Sequence, residues 1–159
     1  MKIHLRKILE LYDLRKLALF VRILIDIPVV QFLLIWMKVS RLLEWLDPPA
    51  RRRIPFKKRD IERAQLGWKY VNFFLIHCFK VKNPCLLRSL ILFHLLRKQG
   101  LDAKIHFGIK DDVALSEGHS WLSLDGNPLL ERTDPRSVYT DVYSYPHEAG
   151  ILRPSRSNN

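Results

Sequence analysis

Asn83-Pro84-Cys85-Leu86-Leu87-Arg88-Ser89-Leu90-Ile91-Leu92-Phe93-His94-Leu95-Leu96 is the stretch whose reading decides the fold. Asn is a favoured N-cap and Pro a favoured first helical residue, so the apolar run reads as a helix ending near Gly100. Cys85 then falls in the first turn. Unpaired backbone N–H groups and the positive end of the helix dipole there favour thiolate over thiol. The ordinary alternative is a small buried cysteine. Against it stands Gly118-His119-Ser120-Trp121-Leu122-Ser123-Leu124-Asp125-Gly126, a strand pattern that carries an imidazole and closes in a turn.

Upstream, Ile3 to Ile27 has apolar residues at helical spacing, and Pro28 is expected to interrupt it. A second helical stretch runs from Val29 to Leu46 and stops before Asp47-Pro48-Pro49. Arg22, Asp26, Pro28 and Gln31 break the apolar region from Leu17 to Met37. Its longest uncharged piece, Ile27 to Met37, falls short of the roughly 20 residues a membrane span needs. Packed helices are expected, with contact to a membrane surface as the lesser option. A third helix is expected from Asp60, as N-cap, to Phe79, with Cys78 in the core.

After Gly100 the period changes to two. Ala103, Ile105, Phe107 and Ile109 alternate with Lys104, His106 and Gly108, which predicts a half-buried strand. Lys110 to Gly118 reads as a loop, His119 to Leu124 as a strand, Pro128 to Glu131 as its return, and Val138 to Tyr145 as a last strand. Helices followed by strands predict an α+β domain. The expected organisation is a helical lead-in (1–50), a basic linker (51–59), a core (60–152) and a disordered tail (153–159).

With 159 residues, 48% of them hydrophobic, the chain suits one domain with a real core. Two cysteines without a CxxC pair do not make the framework of a stapled secreted domain. A reducing cytoplasm is expected, and no cleavable signal peptide is evident. The net charge of +11 suggests an anionic partner or serves solubility. The basic run Arg51-Arg52-Arg53 with Lys57-Lys58-Arg59 lies among prolines and reads as a solvated linker. Zinc-finger spacing, an RNA-recognition signature and a recognition-helix pair are absent from the sequence, so no nucleic-acid partner is expected. His94 and His106 lack ligand partners at metal spacing, and there is no Gly-rich phosphate loop; no metal and no cofactor are expected.

Cysteine catalysis needs a thiolate, an imidazole and a group that orients the imidazole. Strand alternation puts His119, Trp121 and Ser123 on one face, as a substrate groove would show, and Ser120, Leu122 and Leu124 on the core face. Hairpin register selects the acid, because cross-strand partners share a face. A three-residue loop, Asp125-Gly126-Asn127, pairs Trp121 with Glu131 and puts Glu131 beside His119. Two- or four-residue loops bring residue 132 or Asp134 there instead, so Glu131 and Asp134 compete.

Residues 83–100, 101–110 and 118–131 resemble, in order and spacing, the nucleophile helix, following strand and histidine hairpin of the stand-alone transglutaminase-like leader peptidases of lasso-peptide biosynthesis. The resemblance covers roughly Asp60 to Pro146. It implies a transglutaminase-like, papain-like core with the nucleophile helix packed on an antiparallel sheet. It implies a cysteine peptidase that removes the leader from a ribosomally made precursor, with Cys85 as nucleophile, His119 as base and Glu131 where the family usually has Asp. It also implies a separate leader-recognition protein and an ATP-dependent cyclase as partners. The backbone N–H of Cys85 is an expected oxyanion donor, with Gln65 and Trp68 as candidates for a second. The alternatives are a transglutaminase-like acyltransferase and a non-catalytic basic adaptor.

Overall fold

Eight side chains between Leu87 and Leu96 are buried, on all sides of the helix that opens at Cys85. A helix that is apolar all round has to be enclosed by other elements. The computed structural model describes residues 14–48, 58–110 and 117–146. In chain order they form α1 (Leu14–Trp36), α2 (Val39–Leu46), α3 (Lys58–Phe73), a π-turn (Phe74–Cys78) and α4 (Cys85–Lys98). The strands β1 (Ala103–Lys110), β2 (Glu117–Leu124), β3 (Asn127–Leu129) and β4 (Thr140–Tyr145) follow, with a 3-10 turn (Pro135–Ser137) before β4. α4 packs against α1, α2, α3, β1 and β2. The fold is α+β, as expected.

The sheet is antiparallel in the order β3-β2-β1-β4. Ile105 pairs with Leu122 and Ala103 with Leu124; these side chains join Leu90, Ile91 and Phe93 of α4 in the core. His106 opposite Trp121 and Gly108 opposite His119 belong to the other face.

The lead-in helices are tied to α4 by polar groups as well as by Ile23, Ile27, Leu42 and Leu43 of the core. His94 of α4 accepts from Arg22 Nη2 at Nε2 (3.0 Å) and donates from Nδ1 to the Leu46 carbonyl (2.6 Å). Arg97 donates two hydrogen bonds to Asp47 (2.7 and 2.9 Å) and one to Asp102 (2.7 Å). Such a planar fork is geometrically demanding and sets where α2 ends against α4.

Several expectations are corrected. Pro28 does not interrupt the first helix; α1 runs through it. Pro28 is exposed, so it lies on the outer side of the helix, where losing one hydrogen bond is least harmful. The break falls at Met37 and Lys38, where Lys38 is extended (ψ 143°). The third helix starts at Lys58, which places Asp60 in its first turn, and widens into the π-turn before Phe79. The Phe79 N–H reaches back to the Phe74 carbonyl, one residue further than in an α-helix. That wider turn shifts the phase of the residues after it, and Cys78, expected in the core, is exposed. The expected tail, most of the expected linker and the loop 111–116 lie outside the described residues.

α1 presents an unusual outer surface. Its Arg22–Asp26 pair (3.2 Å) leaves a strip with Val21, Ile25, Phe32, Ile35 (78% exposed) and Trp36 (74% exposed) uncovered. Lys16–Trp36, with mean hydropathy 2.2, is long and apolar enough to cross a membrane by length and composition alone. Yet Ile23, Ile27 and Val30 of the same helix are buried in the protein.

Candidate active site

Pro84, rather than Asn83, caps α4, so Cys85 is its first residue; no side-chain capping bond forms there among the described residues. The first intrahelical bond runs from the Arg88 N–H to the Pro84 carbonyl (2.8 Å). The N–H groups of the opening turn are therefore available to the thiol, and that of Leu86 helps to lower its pKa.

One helical turn on, the buried Ser89 donates to the Ser120 carbonyl (2.9 Å). This bond fastens α4 to an edge of β2. β3 pairs only with Leu122–Leu124, so among the described residues no strand covers that edge from Glu117 to Trp121. Consecutive strand residues point to opposite faces, and only a group at the edge can touch both. Cys85 does so: both His119 and the Ser120 hydroxyl stand close enough to its sulfur to draw the thiol below its ordinary value. Ser120 also lies 3.4 Å from Ser89 Oγ. Cys85 itself is half-buried.

Glu131 Oε2 is 3.6 Å from His119 Nε2, an ion-pair distance rather than a hydrogen bond. Its other oxygen, Oε1, is 3.9 Å from Arg88 Nη2. Glu131 thus stands between His119 and an arginine one turn above Cys85. The expected three-residue loop is corrected. Leu124 pairs with Asn127, so the turn is the two-residue Asp125-Gly126, with φ of 49° and 78°. Both values match the primed turn that Asp-Gly favours. Unbroken alternation would then have placed residue 132 beside His119. Leu130 breaks it: its φ of 63° turns the chain out of β3 and brings Glu131 round. Asp134 is occupied elsewhere, accepting from the Arg136 N–H (3.0 Å) at the head of the 3-10 turn and pairing with the Arg136 side chain (2.6 Å).

The electrostatics follow from these contacts. His119 is raised from 6.5 to about 9, first by its hydrogen bond to Cys85 and then by Glu131, against desolvation. The Cys85 thiol is pulled below its ordinary value, first by the bond from His119. Burial opposes the shift, while the imidazolium charge, the Leu86 N–H and Ser120 add to it. Both shifts favour the thiolate–imidazolium pair over the neutral thiol and imidazole.

Trp121 does not line an open groove, as expected from strand parity; it is 1% exposed. Its six-membered ring lies over Gly108, where an added Cβ would come within 2.8 Å of Cζ3. It stacks on His119 (6.1 Å, 16°), and Tyr139 stacks on the same imidazole (5.0 Å, 28°). The sequence reading placed Ser120 on the core face, set Ser89 aside as a nucleophile and gave Arg88 and Tyr139 no part in the site, because such a residue on a helix, strand or loop carries no signal of its partner. Of the oxyanion candidates, Gln65 is exposed and Trp68 half-buried. A surface groove of about 630 Å³ lies along Leu17, Val21, Arg22 and Ile25 of α1 and shares no residue with this cluster.

A thiol at the head of an enclosed helix, facing an imidazole on an antiparallel sheet, is the arrangement of the papain-like class of folds. The transglutaminase-like superfamily model matches residues 17–144, and the chain belongs to that superfamily. Its members are commonly cysteine hydrolases and acyltransferases. The match begins inside the helical lead-in, well before Asp60. No curated protein and no solved structure matches the chain.

Proposed function

We propose that this protein is a cysteine peptidase that removes the leader from a ribosomally made lasso-peptide precursor. Cys85 is its nucleophile, His119 its base and acid, and Glu131 its orienting carboxylate. The observation that carries the reading is that Cys85 and His119 lie close enough at an uncovered strand edge to favour each other's charged form, the thiol lowered and the imidazole raised. The lasso-peptide assignment rests on the resemblance of residues 83–100, 101–110 and 118–131. A separate leader-recognition protein, an ATP-dependent cyclase and a cytoplasmic setting belong to the same proposal.

The chemistry runs as follows. The thiolate attacks the carbonyl carbon at the leader–core junction, and the carbonyl π electrons move to oxygen. The Cys85 N–H, first in the helix, donates to that oxyanion. Collapse breaks the C–N bond as the His119 imidazolium protonates the leaving amine, which frees the core peptide. A water then attacks the thioester while His119 takes its proton. The acyl–sulfur bond breaks, releasing the leader acid and restoring thiolate and imidazolium. Glu131 and Arg88 hold the imidazole's orientation while its charge changes.

Mass spectrometry of a co-expressed precursor tests the reading. Cys85→Ala is expected to fold and to leave the precursor intact; full processing by that variant would reject it. An acyltransferase reading shares every step up to the thioester and replaces water with an amine. Added amine would then appear as a conjugate on the leader. One observation favours an accessory role at membranes: Phe32, Ile35, Trp36 and Trp45 are exposed beside Lys38 and Arg41. Aromatic rings interleaved with cations suit an anionic lipid surface.

A further inference from the structure

A second array of three hydrogen-bonding side chains lies on the outer face of the sheet. His106 Nδ1 is 2.6 Å from Asp141 Oδ2, and His106 Nε2 is 2.8 Å from Ser123 Oγ. The connectivity is that of a serine-hydrolase triad. It is not a second nucleophilic centre, because Ser123 is only 5% exposed and a substrate carbonyl cannot reach it.

What the array does is fix a ring. Hydrogen bonds at opposite nitrogens leave the His106 imidazole no rotation. A bulge assists: Phe107 pairs with Tyr143 but Gly108 with Asp141, so one extra residue, Val142, re-aims Asp141 toward His106. The clamped ring lies 5.3 Å from the Trp121 indole at 7°, nearly parallel. Trp121 in turn stacks on His119. Trp121 is fully buried, and a packed interior passes a displacement on to its neighbours.

We propose that His106, clamped by Asp141 and Ser123, is a positioning residue for the His119 base and acts through the Trp121 indole. The inference rests on the Cys85–His119 reading above, and its test separates the two. The full chain carrying Cys78→Ser is used, so that a single thiol reports. Two quantities are read: the pH profile of Cys85 alkylation by iodoacetamide, and the titration of the His119 imidazole by NMR.

His106→Ala is expected to slow alkylation at neutral pH about tenfold. It is also expected to move the His119 titration down by roughly one pH unit. His106→Phe, which keeps a stacked ring without the two hydrogen bonds, falls between it and wild type, as does Asp141→Ala. Folded variants with wild-type profiles in both measurements overturn the inference. If His106→Ala fails to fold, His106→Phe and Asp141→Ala decide it by the same criterion. In the unsubstituted protein, equal alkylation of Cys85 and Cys78 would instead sink the peptidase reading, and the His119 titration alone would then judge the positioning role.

Discussion

Glu131 reaches His119 at 3.6 Å although Glu131 is not in the sheet: β3 ends at Leu129, and the left-handed Leu130 delivers the carboxylate. The same carboxylate faces Arg88 at 3.9 Å. A loop residue held by two partners from different elements can orient an imidazole as firmly as a strand residue would.

That geometry ranks two carboxylates. Glu131→Ala is expected to lower precursor cleavage on the order of a hundredfold or more, mainly in kcat. Asp134→Ala is expected to leave it near wild type, because Asp134 serves the 3-10 turn and Arg136. The reverse ranking, read by single-turnover cleavage, would remove Glu131 from the mechanism.

The thiolate–imidazolium pair sets a pH window. His119 binds its proton more tightly in the folded chain. That stabilisation is complete below about 6.5 and is lost as pH rises through about 9. Cys85 is the mirror case: its folded value is depressed, so its contribution is lost as pH falls through that lowered value. Alkylation of Cys85 should therefore begin at lower pH than for an ordinary thiol. Cleavage should decline near pH 9, when His119 no longer carries the proton the leaving amine needs. Glu131→Gln should move that alkaline limb to lower pH; an unmoved limb would show that Glu131 does not act on His119.

Gly108 is required by packing. A Cβ there would stand 2.8 Å from Trp121 Cζ3 and 2.9 Å from Tyr139 Cβ, and the second atom cannot swing away. Gly108→Ala is expected to destabilise the fold by about 1–3 kcal/mol, measured by urea unfolding. Displacing two rings that stack on His119, it should also slow cleavage. A variant as stable as wild type would mean that Trp121 repacks freely.

The outer face of α1 should bind lipid. Flotation with vesicles of anionic composition is expected to carry the protein upward, and uncharged vesicles less so. Ile35→Glu with Trp36→Glu should abolish flotation while leaving Cys85 alkylation unchanged, because neither side chain is buried in the core. Protein that stays at the bottom with both vesicle types would reject lipid binding by this face.

Much of the frame was legible in the chain. The run from Leu86 to Leu96 has an apolar character too long and continuous for a strand, and Pro84 marks its start. The alternation from Ala103 to Ile109 and the Asp-Gly turn are equally local signals. The long helix over Pro28 was misread because the rule for an interior proline assumes that the lost hydrogen bond matters, and at an exposed position it matters least. Cys78 was misplaced because a π-turn shifts phase by one residue without altering composition.

The order of residues determined that a thiol opens a helix, that an imidazole rides a later strand, and that helices precede a small antiparallel sheet, since backbone periodicity and capping are decided within a few residues. Only the tertiary structure decided that Glu131 rather than Asp134 faces His119, that Arg88 and Ser120 join the site, and that Trp121 is buried against His106. Those outcomes depend on a single left-handed residue, one strand bulge and a bare sheet edge. Each of these changes which side chains meet across the fold while leaving the local pattern of polar and apolar residues untouched.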